Sequence, residues 1–182
     1  MHQLKIIKSI SLIIVLYLIT SCSDNSTMKP EDFKNKEPRL IIEEYLSGNV
    51  KAWGVLQNRF GKVTRQFSAD LNGSWNGKQL ILKEKFNWND GEIQNREWII
   101  NKIDENNYEG TAGDVVGKAI GYSYGSVFKF EYVLLVPVKG KEMKITFDDW
   151  IFKQDERVAI NKATMTKFGI KVAELTVVFV KD

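Results

Sequence analysis

The side chains of this chain that could do chemistry are carboxylates and guanidinium groups, because imidazole and thiol are almost absent. His2 is the only histidine and Cys22 the only cysteine. Serine–histidine triads, cysteine–histidine nucleophiles and zinc sites built on imidazole or thiolate are therefore excluded from everything beyond Cys22. The strand spacing derived below puts three acids, Glu84, Glu97 and Asp149, on one face, with Arg65 on the same face. Facing carboxylates repel, and burying one unpaired is costly. Such a group is either an acid–base pair, free or around a hard metal, or an internal salt-bridge network centred on Arg65. No nucleophile motif accompanies these acids, which favours the network. The glycines at 110, 113, 117, 121 and 125 precede no GKS or GKT, so they do not read as a phosphate-cradling loop. The expectation is a protein that is not an enzyme and has neither cofactor nor metal.

The elements that position these residues are hairpins. Val63 to Ile103 reads as three antiparallel strands hinged at Asn76-Gly77 and Asp90-Gly91, two strong hairpin signals. Two-residue loops set Leu71 opposite Leu82, Phe67 opposite Phe86 and Arg65 opposite Trp88, then Glu84 opposite Glu97. From Ile120 onward, Tyr122, Tyr124, Phe128, Phe130 and Tyr132 share a parity and read as an aromatic face, broken or bent at a glycine. Lys139-Gly140 turns this face into the next strand, so that Tyr132 meets Phe147 and Phe130 meets Asp149. Alternation sends Asp148 and Asp149 to opposite faces, so they form no dyad. Two further strands, Arg157 to Thr166 and Ile170 to Val180, follow. Asn49 to Phe60 is a first strand with an ambiguous inner face. Before it, Leu40, Ile41, Tyr45 and Leu46 fall at helical spacing between Pro38 and Gly48, so a short helix is expected to plug one end.

Lys5 and Lys8 precede an apolar run from Ile10 to Ile19 that ends in Leu18-Ile19-Thr20-Ser21-Cys22. The run is short for a membrane span, which needs about 20 residues. Its layout is that of a bacterial lipobox: a signal over 1–21, then lipidation of Cys22. A polar tether over 22–36 then leads to one domain over 37–182. Ser23, rather than an aspartate, favours the outer membrane, with the body at its periplasmic face. The chain has 26 Lys+Arg and 23 Asp+Glu, and loss of Lys5 and Lys8 with the signal leaves 24 against 23. A near-neutral body argues against a nucleic acid partner.

Eight to ten hairpin-linked strands imply an all-β, up-and-down antiparallel barrel of lipocalin-like (calycin) type, since closure removes exposed edges. A two-sheet sandwich is the alternative. Gln57-Asn58-Arg59-Phe60-Gly61-Lys62, Gly73-Ser74-Trp75-Asn76-Gly77, Gly110-Thr111-Ala112-Gly113-Asp114-Val115-Val116-Gly117, Phe147-Asp148-Asp149-Trp150 and Lys167-Phe168-Gly169 carry a further signal. Through them, Trp53 to Lys181 resembles a family of Gram-negative lipoproteins catalogued as domain of unknown function 3833. The resemblance implies a lipid-related role and transfers no activity. The functional expectation is a membrane lipoprotein whose barrel binds a fatty-acyl or other lipid ligand. Its expected lining is Arg65, Glu84, Glu97, Tyr122, Tyr124, Phe130, Tyr132 and Asp149. The alternative is a structural or partner-binding envelope lipoprotein that uses an apolar rim, to which Trp53 or Trp150 would contribute.

Overall fold

Strand follows strand through short turns, and each pairs with its sequence neighbours. The structure is a computed structural model describing residues 27–138 and 140–182, so the expected signal and Cys22 lie outside the described residues. The strands are β1 (Gly48–Asn58), β2 (Val63–Trp75), β3 (Gln79–Trp88), β4 (Ile93–Lys102) and β5 (Asn107–Thr111). Then come β6 (Ala119–Tyr124), β7 (Val127–Val138), β8 (Lys141–Lys153), β9 (Val158–Lys167) and β10 (Ile170–Lys181). The last returns to the first, with Val50 opposite Lys181, and the sheet closes. The fold is thus the expected all-β antiparallel barrel, not the sandwich. On β7, buried Phe128, Phe130, Tyr132 and Leu134 alternate with partly exposed Lys129, Glu131 and Val133, the two-residue period of a wall with one wet face.

Three registers decide which side chains point inward. At Asn76 the loop is longer than two residues, and Trp75 pairs with Leu80. The Asn76 side-chain oxygen accepts from the amides of both Lys78 and Gln79, at 3.0 and 2.8 Å, and this draws two more residues into the turn. Phe67 therefore meets Trp88 rather than Phe86, Leu71 meets Glu84, and Arg65 has no partner on β3. A shift of two preserves the faces. At Asp90-Gly91 the shift is one. Trp88 N–H donates to Glu92 O and Gly91 N–H to Trp88 O, so Asn89-Asp90-Gly91 is a three-residue loop. Gly91, at φ +90°, takes the left-handed position such a loop needs. Every residue of β4 consequently turns over: Glu84 faces Arg96, and Glu97 stands on the outside against Lys83.

The third correction lies at Gly125-Ser126. This pair is a hairpin loop rather than a bend, with Tyr124 opposite Val127. Folding back there puts Gly121 and Ser123 inside, opposite Phe130 and Phe128, and sends Tyr122 and Tyr124 to the outer face. The β7–β8 register is as expected, with Tyr132 opposite Phe147 and Phe130 opposite Asp149.

The N-terminal segment closes one end. The expected helix is a single turn, α1 (Ile42–Tyr45), and Leu40, Ile42, Tyr45 and Leu46 are buried around it. Tyr45 OH donates to Arg157 O at 2.9 Å, and Lys181 Nζ donates to Tyr45 O and Ser47 O at 3.1 and 3.0 Å. The two lysine bonds satisfy carbonyls that the helix end leaves unpaired. Glu43 is buried beside them and accepts from Lys102 Nζ at 2.5 Å and Tyr108 OH at 2.9 Å. At Gly73 a Cβ would stand 1.9 Å from Leu46 O, so the backbones touch there. A 3-10 turn at Pro30–Phe33 packs on the outer wall, with the Phe33 ring 6.3 Å from Trp150 and 5.9 Å from Phe152. The packed body therefore starts before residue 37, and Trp150 is covered rather than offered at a rim. No helix among the described residues is long and apolar enough to cross a membrane.

Candidate functional site

From the open end, where the β1–β2, β3–β4 and β9–β10 loops lie, a cavity of about 280 Å³ runs down the lumen to Ile42 and Leu46 of the plug. Its size is near the lower end of what small-molecule sites use. Leu56, Phe67, Phe86, Met165, Leu175 and Phe179 make much of its wall. Below the mouth, Trp98 packs on Phe130 and Tyr132 at 5.1 and 5.2 Å, and Tyr132 stacks on Phe147 at 5.1 Å.

A polar cluster interrupts this wall. Glu84 comes from β3, Arg96 from the turned-over β4, Tyr132 from β7, Asp149 from β8 and Asn161 from β9, all facing in. Asp114 arrives differently. β5 is only five residues long, and the chain after it completes the wall by bonding to β7: Val116 N–H donates to Val133 O at 2.8 Å, and Leu135 N–H donates to Asp114 O at 2.9 Å. That lining strap carries the Asp114 carboxylate to Arg96, whose Nη2 and Nε donate to it at 2.8 and 3.0 Å. Glu84 Oε2 lies 3.8 Å from Arg96 Nη1 and, although buried, has no hydrogen-bond partner. Asp149 accepts from Tyr132 OH and from Asn161 Nδ2.

Three carboxyls thus share one guanidinium. Burial raises Glu84 most, Arg96 opposes it, and nearby Asp149 and Asp114 add to the rise, leaving it at about 7. Asp149 is also raised, chiefly by burial, against the bonds from Tyr132 and Asn161 that favour its charged form. Tyr132 is pushed well above its ordinary value by burial and by Asp149, so it stays a hydroxyl donor. Arg96 remains charged, since Glu84 and Asp114 outweigh the cost of its burial. The cluster can accept a hydrogen bond at Glu84 or exchange a proton there near neutral pH.

Of the eight residues expected to line a site, Glu84, Phe130, Tyr132 and Asp149 meet in the lumen. Arg65 lines the cavity only at its mouth, pairing with Asp90 and Glu92 at 2.7 and 2.8 Å and lying 4.0 Å over the Trp88 ring. Glu97, Tyr122 and Tyr124 are outside, for the register reasons given above. Arg96, Asp114 and Asn161 were missed. For Arg96 the signal was Asn89 before Asp90-Gly91, which permits the three-residue loop. For Asp114 it was the glycine-rich motif itself.

Among the described residues, no group of three or more His, Cys, Asp or Glu is arranged to hold a metal ion. Fold and lumen together define a lipocalin-like antiparallel barrel with a buried acid–arginine cluster. The chain belongs to the family described as Protein of unknown function (DUF3833), whose model matches residues 16–181. No curated protein sequence matches it. Its barrel is similar to the S-type phycobiliprotein lyase CPES from Guillardia theta (TM-score 0.58, 9% identity, 77% of this chain and 90% of that one). It is also similar to a protein of unknown function from the DUF3598 family of Nostoc punctiforme (TM-score 0.60, 13% identity, 81% of this chain and 51% of that one). At these identities the likeness concerns the fold alone.

Proposed function

We propose that the barrel binds a small, largely apolar molecule, a fatty-acyl or related lipid chain, and holds its uncharged polar end at the Glu84 cluster. The observation that carries this reading is Glu84 Oε2: a buried acceptor without a hydrogen-bond partner, partway down the wall of an aromatic-lined cavity. Both arginines that line the cavity already hold carboxylates, Arg65 two and Arg96 bidentate Asp114. Arg65 keeps Nε unpaired at the mouth, but deeper in the lumen a free carboxylate head would enter beside three acids whose one cation, Arg96, is committed to Asp114. A hydroxyl, an amide or a protonated acid would donate to Glu84 instead. The similar barrel CPES is named as a phycobiliprotein lyase, and closed β-barrels in general can hold ligands in their lumen. That supports the use of the lumen, not the identity of its ligand.

The setting proposed for this activity is that of a lipoprotein, anchored through acylated Cys22 at the periplasmic face of an outer membrane. The role is carriage or sensing rather than catalysis. Native mass spectrometry of protein extracted from membranes in mild detergent tests occupancy. A titration of tryptophan fluorescence with dodecanol and with dodecanoate at pH 8 tests the polar end. The reading expects an adduct mass in the lipid range and preference for the alcohol. Protein that never carries a ligand and answers to neither probe would overturn it.

A further inference from the structure

Four large apolar side chains among the described residues are more than 60% exposed: Phe60 at 79%, Ile93 at 61%, Phe168 at 93% and Ile170 at 63%. All four stand at the open end. Phe60 is the middle residue of the three-residue loop Arg59-Phe60-Gly61 between β1 and β2, and the Asn58 side-chain oxygen accepts from the amides of Phe60 and Lys62. Phe168 tops the next hairpin, since β1 and β10 are neighbours in the barrel. It sits at φ +52°, ahead of Gly169 at φ +76°. This two-residue turn prefers asparagine or glycine at its first position, and a bulky side chain there is strained. The fold gains no burial from either ring. Nothing in the barrel itself accounts for a phenylalanine at these two tips.

Their surroundings are basic. Arg59 and Lys62 flank the first ring and Lys167 the second, while Lys171 nearby is paired with Glu174 at 2.6 Å. The Arg59 guanidinium is 4.7 Å over the Phe60 ring, and Lys167 Nζ is 5.4 Å over that of Phe168. Paired aromatic wedges with cations beside them match a bilayer interface: rings enter the headgroup layer while the cations meet phosphates. On the third tip Arg65 pairs with both Asp90 and Glu92, which leaves one negative charge there against the cations of the two phenylalanine tips.

We infer that the Phe60 and Phe168 hairpin tips dock the mouth of the barrel onto an anionic lipid surface, a contact made by the folded body and separate from any lipid on Cys22. The lumen then opens toward the bilayer. This inference stands apart from the ligand reading, because the tips could dock an empty barrel.

The closed barrel and its plug lie within residues 30–181. A chain from Ser23 to Asp182 therefore contains every element described and lacks the acylated cysteine. Its flotation with vesicles of phosphatidylcholine and phosphatidylglycerol (3:1) is compared with pure phosphatidylcholine. Binding is expected to the anionic vesicles and to weaken with salt. Phe60→Ala and Phe168→Ala together should lower it by about tenfold. Replacing Lys62 or Lys167 by Gln should lower it by roughly fivefold each. Phe168→Asn separates fold from function: it suits the turn better, so urea stability should rise while vesicle binding falls. Trp53→Ala, on the outer wall and half-exposed, should change nothing. Equal binding to both vesicle types, a Trp53→Ala loss equal to that of the phenylalanine variants, or tip variants that bind as wild type would each overturn the inference. So would a concentration-dependent dimer that the tip variants abolish, since a second copy would then occupy the tips.

Discussion

Replacing Glu84 by Gln should make the protein more stable at pH 8 and leave it nearly unchanged at pH 4. The carboxyl is largely buried on the cavity wall and its pKa stands at about 7 instead of the ordinary 4.5, with burial the largest cause. A raised acid is protonated in both folded and unfolded chains below pH 4.5, so it contributes no pH dependence there. Between 4.5 and 7 the unfolded chain releases the proton while the folded chain keeps it, and stability falls as pH rises. At about 1.4 kcal/mol per pH unit, the gap amounts to about 3 kcal/mol, complete above pH 7. Glutamine mimics the protonated form and does not titrate. Arg96 keeps Asp114 as its partner in the variant, so it is not left as a bare buried cation. Urea unfolding of both proteins, followed by tryptophan fluorescence at pH 4.0, 5.5, 7.0 and 8.0, gives the difference directly, and titrations common to both chains cancel. A difference that does not change with pH, or a variant less stable than wild type at pH 8, would refute the assignment of Glu84 as a strained buried acid.

Arg96→Met should cost about 3–5 kcal/mol at pH 7, because it strands Asp114 and Glu84 without their cation. Combining it with Glu84→Gln should cost less than Arg96→Met alone at pH 8, which the same unfolding series checks. Glu43 in the plug has the opposite sign. Burial raises it, but hydrogen bonds from Lys102, its own backbone and Tyr108 outweigh burial and leave it lowered. Its contribution is present above pH 4.5 and is lost as pH falls through its folded value, so Lys102→Met should destabilise at pH 7 and converge on wild type in acid. Gly54→Ala would set a Cβ 2.3 Å from the Phe67 ring, which can shift into the cavity, whereas Gly73→Ala meets the Leu46 carbonyl at 1.9 Å. The first should cost about 1–3 kcal/mol and the second more, with thermal melting as the readout.

Strand count, order and closure were legible because alternation and turn residues are local signals that the barrel obeys almost everywhere. The β7–β8 pairing could be written from the sequence, and it put Asp149 and Tyr132 inside. What failed was loop length. Asn-Gly and Asp-Gly announce a turn but not how many residues it takes: capture of two amides by the Asn76 side chain added two, and closure of the other turn between Trp88 and Glu92 added one. Even errors are harmless to faces and odd errors invert them, which is why Glu84 was placed correctly and Glu97 was not. Gly125-Ser126 carried a readable hairpin signal that the unbroken parity of its flanks concealed. For Asp114 the only signal was the glycine-rich motif around it, since a residue in a wall-completing strap has no period to betray which way it faces.

The β1–β10 seam has a consequence for how the molecule is made. Val50 pairs with Lys181, and the same lysine ties down the carbonyls after α1. A growing chain therefore exposes one edge of β1, and keeps the plug unfastened, until β10 has been delivered. The seam joins the most distant strands of the sequence, the kind of contact that slows folding most. Throughout that delay the open edge of β1 can recruit another chain. A holdase that masks β1 until β10 arrives would spare the protein more misassembly than any strengthening of its finished core.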